Sequence, residues 1–182
     1  MINSFFKDLA QKRISVRRYK DTPIEADKIG LCLEAARLAP SACNSQPWKF
    51  IVVDDKTIKD ELCNKAFSGI YNMNVFAKSA PVIIAVVSEK GTFFARVGGK
   101  IRNTNYYLID IGIASEHFVL QAAELGLGTC MLGWFNERSV KRLLKVPRRE
   151  KVDLLISIGY YNNTKKEKNR KSLGEIGSYN KY

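Results

Sequence analysis

The chain has 182 residues, 46% of them hydrophobic, with 30 Lys and Arg against 18 Asp and Glu and a formal charge of +12. That length and apolar share predict one globular domain over residues 1–182, and the ordinary counts of proline and glycine argue against an extended disordered region. The apolar run Ala80 to Val87 is too short to span a bilayer, and Met1 to Asp8 has no basic segment ahead of a long apolar core, so a cytoplasmic protein with no membrane partner is expected.

Ser4 to Gln11 is spaced as a short amphipathic helix with Phe5 and Leu9 on one face. Arg13 to Tyr19 breaks that pattern. Thr22-Pro23 leads into a second helix carrying Ile29, Leu33 and Ala36, which must stop before Pro40 because the residue ahead of a proline is pushed out of the α region. Arg37 to Phe50 then places Ser41, Asn44, Ser45 and Gln46 between Pro40 and Pro47, a stiffened polar loop excluded from helix or central strand.

Trp48 to Val53 reads as a strand, and Lys56 to Phe67 as a helix started by Asp54-Asp55. Pro81 to Val87, rich in β-branched residues, reads as a strand buried on both faces. From Asn103 or Thr104 to Leu125, Tyr107, Ile111, Ala114, Phe118 and Ala122 recur at helical spacing, with Gly126 as the stop. That helix is apolar almost all round, which predicts a subunit interface. A strand over Thr129 to Leu132, a helix from Asn136 to Leu144 capped by Asn136, and a strand over Val152 to Tyr160 complete the pattern. The elements do not alternate strictly, so the fold class is α+β. Residues 162–182 are too polar for a core of their own and are expected to dock on a partner subunit.

The usual hydrolytic constellations are missing. There is no nucleophile elbow, no zinc-binding helix motif and no phosphate loop, and Gly126-Leu-Gly128 reads as a helix stop. Helical spacing places the single His117 near Ala114 and Gln121, so it reads as a satisfied or surface histidine, and the four cysteines fit neither a CxxC pair nor a zinc framework. No catalytic side chain and no metal site are assigned. The basic runs Lys141 to Lys151 and Lys165 to Lys171 read mainly as solvated faces, with no aromatic residues interleaved.

One feature does suggest an anion site. Arg13, Ser15 and Arg17 alternate, so an extended backbone points all three side chains one way, as charge-assisted binding of a phosphate requires. By itself the triplet would equally suit a salt-bridged surface turn.

Arg13-Ile-Ser-Val-Arg-Arg-Tyr19 resembles the opening motif of the FMN-dependent nitroreductase family, and Ala39-Pro-Ser-Ala-Cys-Asn-Ser-Gln-Pro-Trp48 is similar to its flavin loop almost letter for letter. Ala80-Pro-Val-Ile-Ile84, Gln121 to Cys130, Ser157-Ile-Gly-Tyr160 and Lys168-Asn-Arg-Lys-Ser-Leu173 continue the likeness in order along nearly the whole chain. The resemblance implies a central mixed or antiparallel sheet surrounded by helices in an intertwined homodimer that binds FMN. It implies that Arg13, Ser15, Arg17, Lys168 and Arg170 surround the phosphate and the flavin pyrimidine edge. Pro40, Ser41, Ala42 and Asn44 would come across the dimer interface, and Leu132 and Gly133 would lie near flavin N5, where Gly133-Trp134 replaces a Glu-Gly pair of some subfamilies. The implied activity passes hydride from NAD(P)H through the flavin to a nitro compound, quinone or similar small acceptor by a ping-pong mechanism. The cofactor then carries the chemistry, which accounts for the lack of acid-base residues. Two other readings stand beside it: a flavin protein of the same fold doing dehalogenation, flavin fragmentation or redox sensing, and a basic nucleic-acid-binding module motivated by the charge. The last leaves the Pro40 to Trp48 loop unexplained, so no nucleic-acid partner is expected.

Overall fold

The computed structural model describes residues 4–89, 102–162 and 168–182. Four strands, β1 (Trp48–Val53), β2 (Val82–Ser88), β3 (Gly128–Leu132) and β4 (Lys151–Gly159), form one sheet in the order β1-β2-β4-β3 with every pairing antiparallel. Among the described residues the α-helices are α1 (Phe5–Lys12), α2 (Ala26–Arg37), α3 (Lys56–Ala66), α4 (Tyr106–Glu124), α5 (Glu137–Leu143) and the single turn α6 (Leu173–Ile176). The architecture is α+β, as expected from the pattern.

The middle strand β2 organises the layers. All seven of its residues are buried. Ile83, Ala85 and Val87 point into a core shared with Leu62 and Ala66 of α3 and Val140 of α5. Val82, Ile84 and Val86 point into the opposite core, with Ile29 and Cys32 of α2 and Ile111, Phe118 and Ala122 of α4. Strand geometry sends successive side chains to opposite faces, so a continuous apolar run is what a strand covered on both sides needs.

Helix α4 packs against α2 and β1 through its Ile111, Ala114, Phe118 and Ala122 stripe, and the Phe118 ring stacks on Phe50 at 5.8 Å. Within this chain that stripe is a central one. Leu108 and Ile109, at 42% and 52% exposure, are left open on the other side. The helix is shorter than its apolar pattern, which runs on to Leu125 as the cap before left-handed Gly126. Asp55 and Asn136 cap α3 and α5 through side-chain acceptance from the Ile58 and Ser139 amides.

Two pieces were not expected. A 3-10 helix runs over Gly69–Ser79, and a single 3-10 turn, Ala42–Asn44, sits inside the loop read as non-helical. The N-terminal arm after α1 lies along β3. Its Val16 amide donates to the Thr129 carbonyl at 2.9 Å, Ser15 bridges Thr129 in parallel, and the Lys20 amide donates to the Tyr160 carbonyl at 2.7 Å. Tyr19 fastens it further: its hydroxyl donates to the Val16 carbonyl at 2.9 Å and shares a 2.8 Å hydrogen bond with the Ser157 hydroxyl.

Two glycines permit this close approach. A Cβ on Gly128 would stand 2.5 Å from Val16 Cγ2, and one on Gly159 would stand 2.6 Å from Pro81 Cδ and 3.0 Å from the Tyr19 ring. The Pro81 ring cannot swing aside. Gly159→Ala should therefore lower stability by about 1–3 kcal/mol through overpacking, whereas Gly30→Ala, inside α2 with nothing within 4 Å, should raise it by up to about 1 kcal/mol. Urea unfolding midpoints of the two variants check the contrast.

Candidate functional site

The arm sorts its side chains as an extended segment must. Val16 is buried while Ser15 and Arg17 are exposed and Arg13 is half-buried on the same side. Arg13 Nε lies 3.7 Å from Glu116 Oε1 of α4, a loose ion pair. Arg17 places its guanidinium over the Phe76 ring at 5.7 Å, tying the arm to the 3-10 helix.

The C-terminal tail returns to this place. Lys168 Nζ donates to the Ala10 carbonyl in the last turn of α1, where a cation suits the unpaired carbonyl end of a helix. Burial lowers the Lys168 pKa below the ordinary lysine value, and the positive charges of Arg13 and Arg170 lower it further. Glu116 alone pulls the other way. Two half-buried cations, Arg13 and Lys168, and the exposed Arg170 thus gather around a single, partly exposed carboxylate, a local surplus that favours an incoming anion. Cys130 beneath the arm does not relieve it. Burial raises its thiol pKa despite the nearby Arg17, Ser15 and Arg13, so it stays neutral.

The loop is held from both ends and in the middle. Ala39 and Pro47 are buried, and the Glu89 amide donates to the Pro47 carbonyl at 3.0 Å. Ser41 Oγ accepts from the Gln46 amide at 2.9 Å, and Gln46 Nε2 donates to Asn44 Oδ1 at 3.1 Å. Cys43, Asn44 and Gln46 all take left-handed backbone angles, φ 52°, 50° and 43°. Only asparagine adopts these readily, so the loop keeps them because its hydrogen bonds over-determine the turn. Pro40 and Asn44 are exposed, and Ser41 and Ala42 half-buried.

The anchor in the middle escaped the sequence reading. The Ala42 amide donates to Asp110 Oδ1 at 3.0 Å, and Asp110, on α4, is only 4% exposed. Its Oδ2 has no hydrogen-bond partner among the described residues. An acid set between Ile109 and Ile111 on an apolar helix was the available signal, since a buried carboxylate is retained only with a task.

Leu132 ends β3 buried, and Gly133 follows it exposed. Trp134 is pinned next to it: its indole N–H donates to the Ile70 carbonyl at 3.0 Å, the Asn74 amide donates to the Trp134 carbonyl at 2.8 Å, and Tyr71 packs at 5.2 Å. Thr129, paired with Ser15, and Gly133 are separated by about 13 Å of extended chain, room for an elongated ligand along the strand. Arm and tail therefore meet beside Arg13, with Gly133 lying further along β3. The Pro40–Asn44 loop instead docks on Asp110, about 9 Å along α4 from Glu116, and among the described residues no hydrogen bond or ion pair joins it to the cations.

The histidine and the thiols of α2 and α3 are occupied or buried. His117 Nδ1 lies 3.2 Å from the Ala35 carbonyl, and burial pushes the Cys32 and Cys63 thiols up to about 12 and about 11. Among the described residues no group of three or more His, Cys, Asp or Glu could hold a metal ion. Lys165, in the second basic run, lies outside the described residues.

The model of the Nitroreductase family matches residues 10–160. The chain is 31% identical to a putative NADH dehydrogenase/NAD(P)H nitroreductase of Archaeoglobus fulgidus, over 84% of this chain and 83% of the relative. It is 27% identical to an iodotyrosine deiodinase of Thermotoga neapolitana, over 87% and 89% of the two chains. The solved structure of an FMN-dependent nitroreductase from Clostridium difficile R20291 superposes with a TM-score of 0.77 at 31% identity, covering 96% of this chain and 98% of that one.

Removing the loop's central anchor should loosen it locally. In Asp110→Ala the amide exchange of Ala42 should speed up about tenfold or more, the loss expected for one buried charge-assisted hydrogen bond. Asp110→Asn keeps an acceptor and should restore most of the protection. Hydrogen exchange read by NMR at Ala42 checks both.

Proposed function

The chain belongs to the nitroreductase family, and from that membership we propose that it is an FMN-dependent oxidoreductase using NAD(P)H to reduce a nitro compound, a quinone or a similar small acceptor. The observation that carries this reading is the under-compensated cluster of Arg13, Lys168 and Arg170 at the arm that also carries Ser15. A phosphate monoester fits it: about two negative charges and three acceptor oxygens meet guanidinium forks, an ammonium and a hydroxyl. The long approach from there to Gly133 fits the rest of a flavin mononucleotide.

Arg13, Ser15, Arg17, Lys168 and Arg170 would hold the phosphate and the pyrimidine edge, and the backbone at Leu132 and Gly133 would face the ring. Once bound, the flavin supplies the hydride chemistry that no side chain here provides. The protein binds, orients and screens. Pro40, Ser41, Ala42 and Asn44 act from the second subunit of a homodimer, reaching over its neighbour's flavin. The dimer reading is supported by what one chain leaves open: Leu108 and Ile109 on α4, and Leu173, Ile176 and Tyr179 of the tail at 84%, 68% and 95% exposure. The residues act as one nitroreductase-like domain, with the tail docked on the partner subunit. Four free thiols and a nicotinamide reductant suit a reducing, cytoplasmic setting.

A second reading, reductive dehalogenation on the same scaffold, is favoured by the likeness to a deiodinase. Turnover of a quinone or nitroarene against iodotyrosine separates the two.

The purified protein should be yellow or become so with FMN, and anaerobic NADH or NADPH should bleach it. A protein that stays colourless with excess FMN would overturn the proposal. Arg13→Ala with Ser15→Ala should weaken FMN binding by about tenfold or more while riboflavin, which lacks the phosphate, is little affected; equal losses would mean the phosphate sits elsewhere.

Lys168 gives a pH test with a definite sign. Its pKa is lowered in the free protein, and a bound phosphate would raise it, so FMN affinity is complete below the free value and falls as pH rises through it. The decline should therefore begin below the ordinary lysine value of about 10.4. Lys168→Arg stays charged and should hold affinity to higher pH. Fluorescence titration of FMN from pH 7 to 10 reads the difference, and superimposable profiles would remove Lys168 from the site.

A further inference from the structure

A second cationic site lies away from the arm, between α5 and the loop that leads into β4. After α5 the chain turns through left-handed Lys145 (φ 54°) and returns along Pro147–Glu150 to β4. Lys141 Nζ donates to the carbonyls of Arg148 at 2.9 Å and Glu150 at 2.5 Å, tying this loop to the helix. Between helix and loop lies a groove of about 650 Å³ lined by Glu137, Arg138, Lys141, Arg142, Val146 and Arg148.

Arg138 and Arg142 stand one helical turn apart on α5, with Arg148 on the facing loop. All three are exposed, and none has an acidic partner among the described residues, unlike Arg13, Arg37 and Arg149, which pair with Glu116, Glu34 and Glu150. The carboxylate in the lining is engaged: Glu137 Oε1 accepts from the Val152 amide at 3.2 Å. Beyond Val146 the groove opens into a second hollow of about 530 Å³, where Lys49, Lys145 and Arg149 add positive charge and Glu89 and Glu150 oppose it.

This is not the flavin site: no residue of the arm, the tail or the Leu132–Gly133 strand end lines the groove. Lys49 and Ile51 lie on β1, three strand spacings or about 14 Å across the sheet from β3, which carries the arm.

Its chemistry selects the ligand class. Guanidinium forks match phosphate oxygens two at a time, and the lysine latch fixes one wall so that less order is lost on binding. No aromatic side chain lines the groove, so nothing there stacks a base, and the charges crowd within one helical turn and one loop instead of tracking a strand. We propose that the groove binds a compact oligophosphate, either inorganic or the phosphate tail of a nucleotide.

Calorimetric titration of the protein, with FMN saturating and ionic strength held constant, should give one site per chain for sodium tripolyphosphate and for ATP. The tighter of the two identifies the inorganic or the nucleotide source. Arg138→Gln with Arg142→Gln and Arg148→Gln should weaken binding at least about tenfold, with the visible spectrum and FMN retention unchanged. Arg148→Gln alone, on the loop and clear of α5, should give an intermediate loss. A triple variant with wild-type affinity would overturn the proposal. So would sulfate at equal ionic strength matching tripolyphosphate, or a thymidine 20-mer that tripolyphosphate cannot displace.

Discussion

The 2.9 Å hydrogen bond from the Val16 amide to the Thr129 carbonyl fixes the register of the N-terminal arm against β3, and with it the direction of every side chain from Arg13 to Tyr19. A slip of one residue would bury Ser15 and Arg17 and expose Val16. Several independent features guard against that slip. Gly128 and Gly159 leave room for the arm, Val16 fills the space beside Gly128, and Tyr19 reaches the Ser157 hydroxyl on β4. Burial raises the Tyr19 pKa well above the ordinary tyrosine value, so its hydroxyl keeps the proton it donates. The cation cluster is a consequence of this register, because Arg13 can meet Lys168 and Glu116 only when Val16 is seated.

Two groups of basic residues answer the +12 charge differently. Arg13 and Lys168 are half-withdrawn from water beside the exposed Arg170, and burial, followed by the repulsion of the two arginines, lowers the Lys168 pKa. Around Arg138, Arg142 and Arg148 the side chains stand in solvent, where a Debye length of about 8 Å at physiological salt damps their repulsion. The first group favours an anion because the protein itself is short of one there. The second favours an anion only if the ligand concentrates several charges, which is why an oligophosphate suits it and a lone phosphate does not.

Elements carried by local periodicity were legible in the sequence. Trp48 to Val53 and the buried run of β2 announced themselves by β-branched residues, and Asp55 and Asn136 marked helix starts by their capping chemistry. Gly69–Ser79 was not legible, since Asn72 and Asn74 interrupt any 3.6 period and a 3-10 helix offers a poorer pattern. The tail turn was legible in principle, for Ser172 and Glu175 form a capping box. Of the candidate site, alternation put Arg13, Ser15 and Arg17 on one side of the arm, and only the family resemblance gave them a phosphate to hold. The return of Lys168 to the Ala10 carbonyl is a contact across 158 positions, and no local pattern contains it. Asp110 was overlooked for a related reason: periodicity assigns a position to a face but says nothing of the backbone amide that will meet it there.

The loop shows how a strained segment can still be rigid. Left-handed angles at Cys43, Asn44 and Gln46 each disfavour the fold by an amount on the order of 1 kcal/mol. Against that stand two prolines that narrow the unfolded ensemble, buried ends at Ala39 and Pro47, and three side chains, Ser41, Gln46 and Asp110, that bond the turn's own backbone or its asparagine. The strain is therefore offset within the folded chain, before any partner or ligand arrives. What reaches solvent is a fixed edge bearing Pro40, Cys43 and Asn44. An edge ordered in advance loses little freedom when it closes over a second surface, so its contribution to binding comes from the contacts it makes and not from a change of shape. Asp110 links that edge to the helix whose Leu108 and Ile109 remain open, so any force that seats α4 against another subunit also sets the height of the loop above it.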